Sequence, residues 1–313
     1  MQELLRTTDR VLLSWVTARL AGAGLGFVVF DPPVPAPEGG IAALPYRVEV
    51  ADGDLGTAQR LVAVAAPADS GLSRDQLLGG RLLLRQPRRG YRVAIDAVLL
   101  AAAVAARPGE RVLELGTGVG AAALCLAARL PGVAVVGLEL QGPLAALAAQ
   151  NIAANGLEAR VRVVTGDLGC PPSALVPGSF DRVMANPPYL RAGTHTPSPE
   201  PSRAAANGEG TAGLGDWIAA AAAMLRPKGT LTLIHRADRL DEVISLLHKE
   251  FGALVVFPLW PRAGAAARRV LLSARLGVAS PARLAPGLTL HGPGSGFTAG
   301  AEAVLRDGCG LEL

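Results

Sequence analysis

The chain is short of the residue types that build metal centres and disulfide scaffolds. It has three cysteines, Cys125, Cys170 and Cys309, spaced 45 and 139 positions apart. That spacing fits neither a disulfide framework nor a zinc site, so the thiols are expected to be inert. The four histidines, His195, His235, His248 and His291, show no metal-ligand spacing either. No metal and no general base are expected. Long apolar runs are also missing: the longest, residues 115–128, is interrupted by Gly116, Gly118 and Gly120, which excludes a spanning helix of about 20 residues. The charged start, with Glu3, Arg6, Asp9 and Arg10, is unlike a secretion signal. A soluble, cytoplasmic protein is the expectation.

What the chain does have is apolar mass. Half of its 313 residues are hydrophobic and 18% are charged, a composition that buries a core and excludes general disorder. The length allows two domains. Charge divides along the chain: residues 1–70 hold five arginines against eight carboxylates, whereas residues 71–313 hold 25 basic and 18 acidic side chains. The surplus of +7 in the longer part suits a polyanionic partner, and only two of the basic residues, Lys228 and Lys249, are lysine.

The first 70 residues read as strand, helix, strand, strand, helix: a small α+β domain resembling half of a ferredoxin-like fold. Asp9 is placed to cap an amphipathic helix carrying Val11, Leu12, Trp15, Val16 and Leu20. Four prolines and two glycines between Pro32 and Gly40 make an irregular loop. No catalytic constellation occurs here. Residues 71–85 look like a linker. From residue 86 the chain forms one larger domain, with seven candidate strands at 111–115, 133–139, 160–165, 181–185, 230–235, 253–258 and 268–274. Helical segments alternate with them at 120–130, 142–155, 214–226 and 238–250. This alternation predicts an α/β fold, a mostly parallel sheet with helices on both faces.

The chemistry concentrates at three strand ends and one loop. Glu114, Gly116, Thr117, Gly118 and Gly120 lie where the first strand of the larger domain meets its helix. Glycines there let the backbone approach a ligand, and the helix N-terminus offers free N–H groups. Residues 116–121 also satisfy the looser dinucleotide pattern G-x-G-x-x-A. The acid two places before the first glycine instead resembles the S-adenosyl-L-methionine site of Rossmann-like methyltransferases. Glu139, 25 positions after Glu114, ends the second strand, where a carboxylate can accept both ribose hydroxyls. Asp167 and Leu168 follow the third, in a Gly-Asp pair that also suits an ordinary turn.

Asn186, Pro187, Pro188 and Tyr189 follow the fourth strand and form the most specific motif. An exocyclic amine or amide nitrogen is a poor nucleophile because its lone pair is delocalised. The Asn186 side-chain oxygen and the Pro187 carbonyl can accept its N–H groups and turn the lone pair toward a methyl donor. The prolines stiffen the turn, and Tyr189 offers a face for a flat group. Upstream, Arg88, Arg89, Tyr91 and Arg92 could meet RNA phosphates and stack on a base, or form a solvated face. Asp96 is expected to cap the following helix and to border the pocket. Arg191, His195 and Arg203 fall in a long Pro/Ser/Gly/Ala loop beside the acceptor motif and are candidate phosphate contacts.

Taken together, "GYRVAIDAVLLA", "VLELGTGVG", "NPPYL" and the tail "GLTLHGPGSGFTAGAEAVLRDG" resemble the small-domain class I methyltransferases, in particular the bacterial group that N6-methylates the anticodon-adjacent adenine of valine tRNA. The resemblance implies a Rossmann-like class I fold with a seven-stranded sheet. It also implies S-adenosylmethionine as cofactor, held by Glu114, Gly116, Gly118 and Glu139 with Asp167 at its adenine, and Asn186, Pro187 and Tyr189 at the acceptor, with tRNA as partner. Release-factor glutamine methyltransferases use the same Asn-Pro-Pro-Tyr turn on an amide nitrogen and are the first alternative. A ligand-sensing protein that merely binds cofactor is the second. The first quarter of the chain resembles a small bacterial family of signal-transducing domains of unknown function, which names no chemistry.

Overall fold

The computed structural model describes residues 1–7, 10–30, 46–63, 71–89, 92–189, 212–294 and 296–313. The chain forms two compact units, Met1–Gly71 and Leu72–Leu313. In the first, β1 (Gln2–Thr7), α1 (Arg10–Gly22), β2 (Phe27–Phe30), β3 (Tyr46–Val50) and α2 (Leu55–Ala63) follow in the expected order. The strands pair antiparallel with β3 in the middle. Val16, Leu20, Val48, Val50 and Ala58 are its buried core. Asp9, the proline-rich loop and the side chains of Val11, Leu12 and Trp15 lie outside the described residues.

The second unit opens with a correction. Residues 71–85, expected to be a linker, hold most of a β-hairpin in which β4 (Leu72–Leu77) pairs antiparallel with β5 (Leu82–Pro87). Gly79 and Gly80 take positive φ angles of 65° and 94° at its turn. The two glycines therefore close a tight turn rather than a flexible connection. Along β5, Leu82, Leu84 and Gln86 are buried while Leu83 and Arg85 are exposed, the period-2 pattern of a strand covered on one face.

The elements that follow are α3 (Ile95–Ala103), β6 (Arg111–Leu115), α4 (Ala121–Arg129), β7 (Ala134–Glu139), α5 (Gly142–Ala154), β8 (Val161–Thr165) and β9 (Phe180–Ala185). After them come α6 (Leu214–Met224), β10 (Leu225–Arg236), α7 (Leu240–Leu247), β11 (Phe251–Arg262), β12 (Arg269–Leu276), β13 (Arg283–Leu284), β14 (Leu288–His291) and α8 (Ala299–Leu305). Seven strands run in the order β8-β7-β6-β9-β10-β12-β11, with the short β13 and β14 paired to the outer side of β11. β8, β7, β6, β9 and β10 are mutually parallel, and β12 is antiparallel to both neighbours. The expected α/β architecture is present: a Rossmann-like, mostly parallel seven-stranded sheet.

Both faces of this sheet are covered, which is why its strands are continuous apolar runs rather than alternating ones. Val112, Val135, Met184 and Ile234 pack with α3 and α4. Their strand neighbours Leu113, Val136, Val183 and Leu233 pack with α6 and α7 on the other side. Strand order reverses between β6 and β9, so a crevice opens at their carboxyl ends.

Candidate functional site

Every strand that ends in this crevice delivers one of the sequence-predicted groups to it. Glu114, Gly116, Thr117, Gly118, Glu139, Asp167, Leu168 and Asn186 through Tyr189 line one cavity of about 230 Å³. Gly120 does not line it. It sits at the N-cap of α4 with φ of 87°, and a Cβ there would lie 3.3 Å from Ala148 Cβ. Gly116 is more tightly constrained: its φ is 66°, and a Cβ would lie 2.5 Å from the Trp217 ring. Only glycine fits both conditions.

The two glutamates behave differently. Glu114 is buried; its Oε2 accepts the Thr117 hydroxyl at 2.6 Å and the Ala123 amide at 3.0 Å. Burial pushes its carboxyl up to about 8, the Glu139 charge adds to the rise, and the two hydrogen bonds restrain it. Glu114 thus acts inside the turn, tying its loop to α4. Glu139 accepts the Gly118 amide on Oε2 at 2.8 Å and the Gln141 amide on Oε1 at 2.9 Å. Each oxygen keeps a further lone pair for a ligand hydroxyl. Asp167 Oδ1 accepts the Gly169 amide at 2.8 Å, an Asx-turn that fixes the carboxylate at the cavity wall.

The acceptor side contains an unmet hydrogen-bonding demand. Asn186 Oδ1 is buried and has no hydrogen-bond partner among the described residues. Trp217 Nε1, on the neighbouring α6, is a buried donor in the same condition. Buried polar atoms are nearly always paired, so an orphan acceptor and an orphan donor in one cavity mark where a ligand completes the pairing. Trp217 was not anticipated; its place in an alanine-rich helix reads as core packing.

Tyr189 is held from several sides. Its hydroxyl donates to Asp96 Oδ2 at 2.7 Å, and Asp96 also accepts Arg269 Nε at 3.1 Å. The Arg269 guanidinium lies 4.4 Å from the ring centroid, and His235 meets the ring edge-to-face at 5.5 Å. Arg239, buried and paired with Glu242 at 2.7 Å, donates to the Tyr189 carbonyl at 3.3 Å. His235 is fully buried, and desolvation with the Arg239 charge pushes its imidazole down to about 4 against the pull of the Arg236 and Pro188 backbone. It is neutral at physiological pH. The expectation for Asp96 is corrected here: Ala94 is the N-cap of α3, and no side chain caps it. Asp96 sits inside the first turn and turns its carboxylate to Tyr189 and Arg269 instead. Arg269 was not anticipated: its place follows from β12 running antiparallel to β10, which sets its first residue opposite the last residue of β10, Arg236.

The flanking basic residues are less uniform than the sequence suggests. Pro87 and Val93 line the cavity, so Arg88 and Arg89, both exposed, stand near its rim. Arg92 is committed elsewhere: it meets both oxygens of Asp75 at 3.0 Å, the Ser73 hydroxyl and the Pro87 carbonyl. It joins the hairpin to the approach of α3. Tyr91, Arg191, His195 and Arg203 lie outside the described residues. Among the described residues no cluster of His, Cys, Asp and Glu could hold a metal, and no helix is long and apolar enough to cross a membrane.

Comparison with known proteins bears on this site. A family model described as "Methyltransferase small domain" matches residues 92–257, and one described as "Putative prokaryotic signal transducing protein" matches residues 1–66. A tRNA1(Val) (adenine(37)-N6)-methyltransferase of Porphyromonas gingivalis is 34% identical over 158 residues, covering 49% of this chain and 61% of the relative. A release factor glutamine methyltransferase of Rhodospirillum rubrum is 32% identical over 221 residues, covering 64% of this chain and 65% of the relative. The chain thus spans less than two thirds of either relative's length. Among solved structures, protein Atu636 of Agrobacterium tumefaciens, titled a predicted O-methyltransferase, aligns with a TM-score of 0.58 and 29% identity over 69% of this chain and 98% of its own.

Proposed function

Because the chain belongs to the methyltransferase small domain family, we propose that it transfers a methyl group from S-adenosyl-L-methionine to the N6 amine of an adenine in tRNA. The observation that carries this reading is the buried, unpartnered Asn186 Oδ1 beside Tyr189 in the cavity that Glu139 enters. The residues fit the cofactor. Glu139 keeps free lone pairs at the place where a ribose diol would sit, and Gly116 leaves room for the backbone to approach. Asp167 and Leu168 would flank the adenine moiety. When bound, the cofactor supplies an electrophilic methyl on a sulfonium.

The chain's own contribution is alignment. Asn186 Oδ1 and the Pro187 carbonyl accept the two N–H groups of the acceptor amine, which fixes its lone pair in line with the methyl group. No residue needs to act as a base in advance, since the amine sheds its proton after attack, and the neutral His235 stays packed behind the turn. Tyr189 gives a planar acceptor a surface to lie against. The +7 surplus of residues 71–313 and the similarity to the P. gingivalis tRNA methyltransferase favour RNA, with Arg88 and Arg89 at the rim as phosphate contacts. A tRNA substrate also implies residence in the cytoplasm.

A glutamine amide would satisfy Asn186 equally well, and the similarity to a release factor glutamine methyltransferase keeps that acceptor as the second reading. Mass spectrometry of tRNA and of total protein from a strain lacking the gene separates the two. Loss of a methylated adenine from tRNA supports the first. Loss of a methylated glutamine with tRNA unchanged overturns it.

A further inference from the structure

At the other end of the sheet the structure holds a second concavity, of about 470 Å³, which the proposed methyl transfer does not use. It lies at the amino ends of β9 and β10, opposite the carboxyl ends that build the crevice, on the order of 15 Å away along the strands. Its walls carry five cations, Arg107, Arg182, Arg226, Lys228 and Arg275, and two carboxylates, Glu110 and Asp181.

Both carboxylates are already engaged. Arg182 forks onto Glu110 at 2.9 and 3.0 Å, and the Arg107 backbone amide donates to the same carboxylate at 3.0 Å. Burial works to raise the Glu110 carboxyl, but these bonds and the Arg182 and Arg226 charges outweigh it and hold it below the usual range, so it stays ionised. Asp181 accepts Arg226 Nε at 2.8 Å and the Arg111 amide at 2.7 Å. The side chains of Arg107, Lys228 and Arg275 therefore face one concavity with no carboxylate partner among the described residues. Like charges gathered in a recess repel one another and focus a positive potential that only an anion relieves.

The backbone adds an independent sign. Lys228 has φ of 62°, one of three non-glycine residues among those described in the left-handed region. A glycine would occupy that position without steric cost, so the lysine stands there against its backbone preference, and its carbonyl accepts Arg275 Nε at 3.4 Å, which holds the two cations side by side.

We propose that this concavity is an anion site that takes a phosphate group, with Arg107 as a fork donor, Arg275 donating through its terminal nitrogens while its Nε holds the Lys228 carbonyl, and Lys228 as a point charge. A phosphate can come from an RNA backbone or from a small phosphorylated ligand, and the site stands whether or not adenine is the methyl acceptor. The test uses the full chain and inorganic pyrophosphate in calorimetry at low salt. Lys228→Gly relieves the backbone while removing one charge, and Lys228→Gly with Arg275→Gln removes two. The expected result is pyrophosphate binding by the unsubstituted chain, weakened about tenfold or more by the double change, with melting temperature and circular dichroism unaltered. A parallel titration with tRNA assigns the source. A salt slope that falls by about one for each cation removed places RNA backbone in the site, whereas an unchanged slope with lost pyrophosphate binding places a small phosphorylated ligand there. If neither pyrophosphate affinity nor the tRNA salt slope responds to the substitutions, the proposal is wrong.

Discussion

Asn186 keeps a buried amide oxygen without a partner, an arrangement that costs about 1 to 3 kcal/mol of folding free energy. Asn186→Ala should remove that cost along with the acceptor. The expected outcome is methyl transfer lowered by about a hundredfold or more with the melting temperature unchanged or raised, checked by turnover and by calorimetry. Equal turnover would sink the acceptor role. Tyr189 and Asp96 make a second case, since their bond at 2.7 Å shares a carboxylate with Arg269. Tyr189→Phe and Asp96→Asn should each slow turnover, and the double variant should be no slower than the worse single one, because both break the same contact. Glu114 carries a pH signature. Its folded-state carboxyl titrates at about 8, against an ordinary value of 4.5, so the folded chain binds the extra proton between those values. The associated stability is fully present below pH 4.5 and is lost as pH rises through 8, at up to about 1.4 kcal/mol per pH unit. Urea unfolding at pH 6 and pH 8.5 should show a decline in the unsubstituted protein that Glu114→Gln flattens. That Glu114, Asn186 and Tyr189 share one cavity was legible, because each lies at or just after the carboxyl end of a strand. Trp217, Arg269 and Arg239 were not, because their relation to the motif exists only once distant strands and helices are adjacent.

Elements were read unevenly for a related reason. Buried parallel strands announce themselves as valine-rich runs, and all seven predicted strands of the larger domain appear within a few residues of their expected bounds. The β4–β5 hairpin was missed because its glycine pair and charged residues resemble a connection, and because its pairing partners are unusual. Asn151, fully buried on α5, donates to the Arg85 and Val119 carbonyls at 2.9 Å and accepts the Arg85 amide at 2.8 Å. Asn155 repeats the pattern on Leu83, donating at 2.8 Å and accepting at 2.9 Å. Two asparagines one helical turn apart thus satisfy the free edge of β5, a role that no local periodicity reveals. Asn151→Ala leaves three backbone groups unpaired, one of them beside the glycine turn. It should destabilise the second unit by roughly 3 kcal/mol, measurable as a shift of the urea midpoint. Because β5 also leads to Pro87 at the cavity wall, cofactor affinity in the folded fraction should fall as well.

At the scale of the whole molecule, the division of charge and the division into units coincide. Met1–Gly71 is a compact unit with its own core of Val16, Leu20, Val48, Val50 and Ala58, and its residues hold an excess of carboxylates. Leu72–Leu313 holds the basic surplus, the crevice and the cationic recess. If RNA is drawn to the chain by charge, the acidic unit opposes that attraction, and removing it raises the net charge of what remains. A chain beginning at Leu72 should therefore melt cooperatively, methylate the same acceptor, and bind tRNA at least as tightly as the full chain at low salt. The slope of its binding constant against salt should be the same or steeper, because counterion release is set by the cations that meet phosphates. Filter binding across a salt series measures both quantities. A loss of affinity beyond about tenfold would instead show that residues 1–71 contribute directly to the RNA surface, and the excess of carboxylates there would then have to be offset by contacts other than charge.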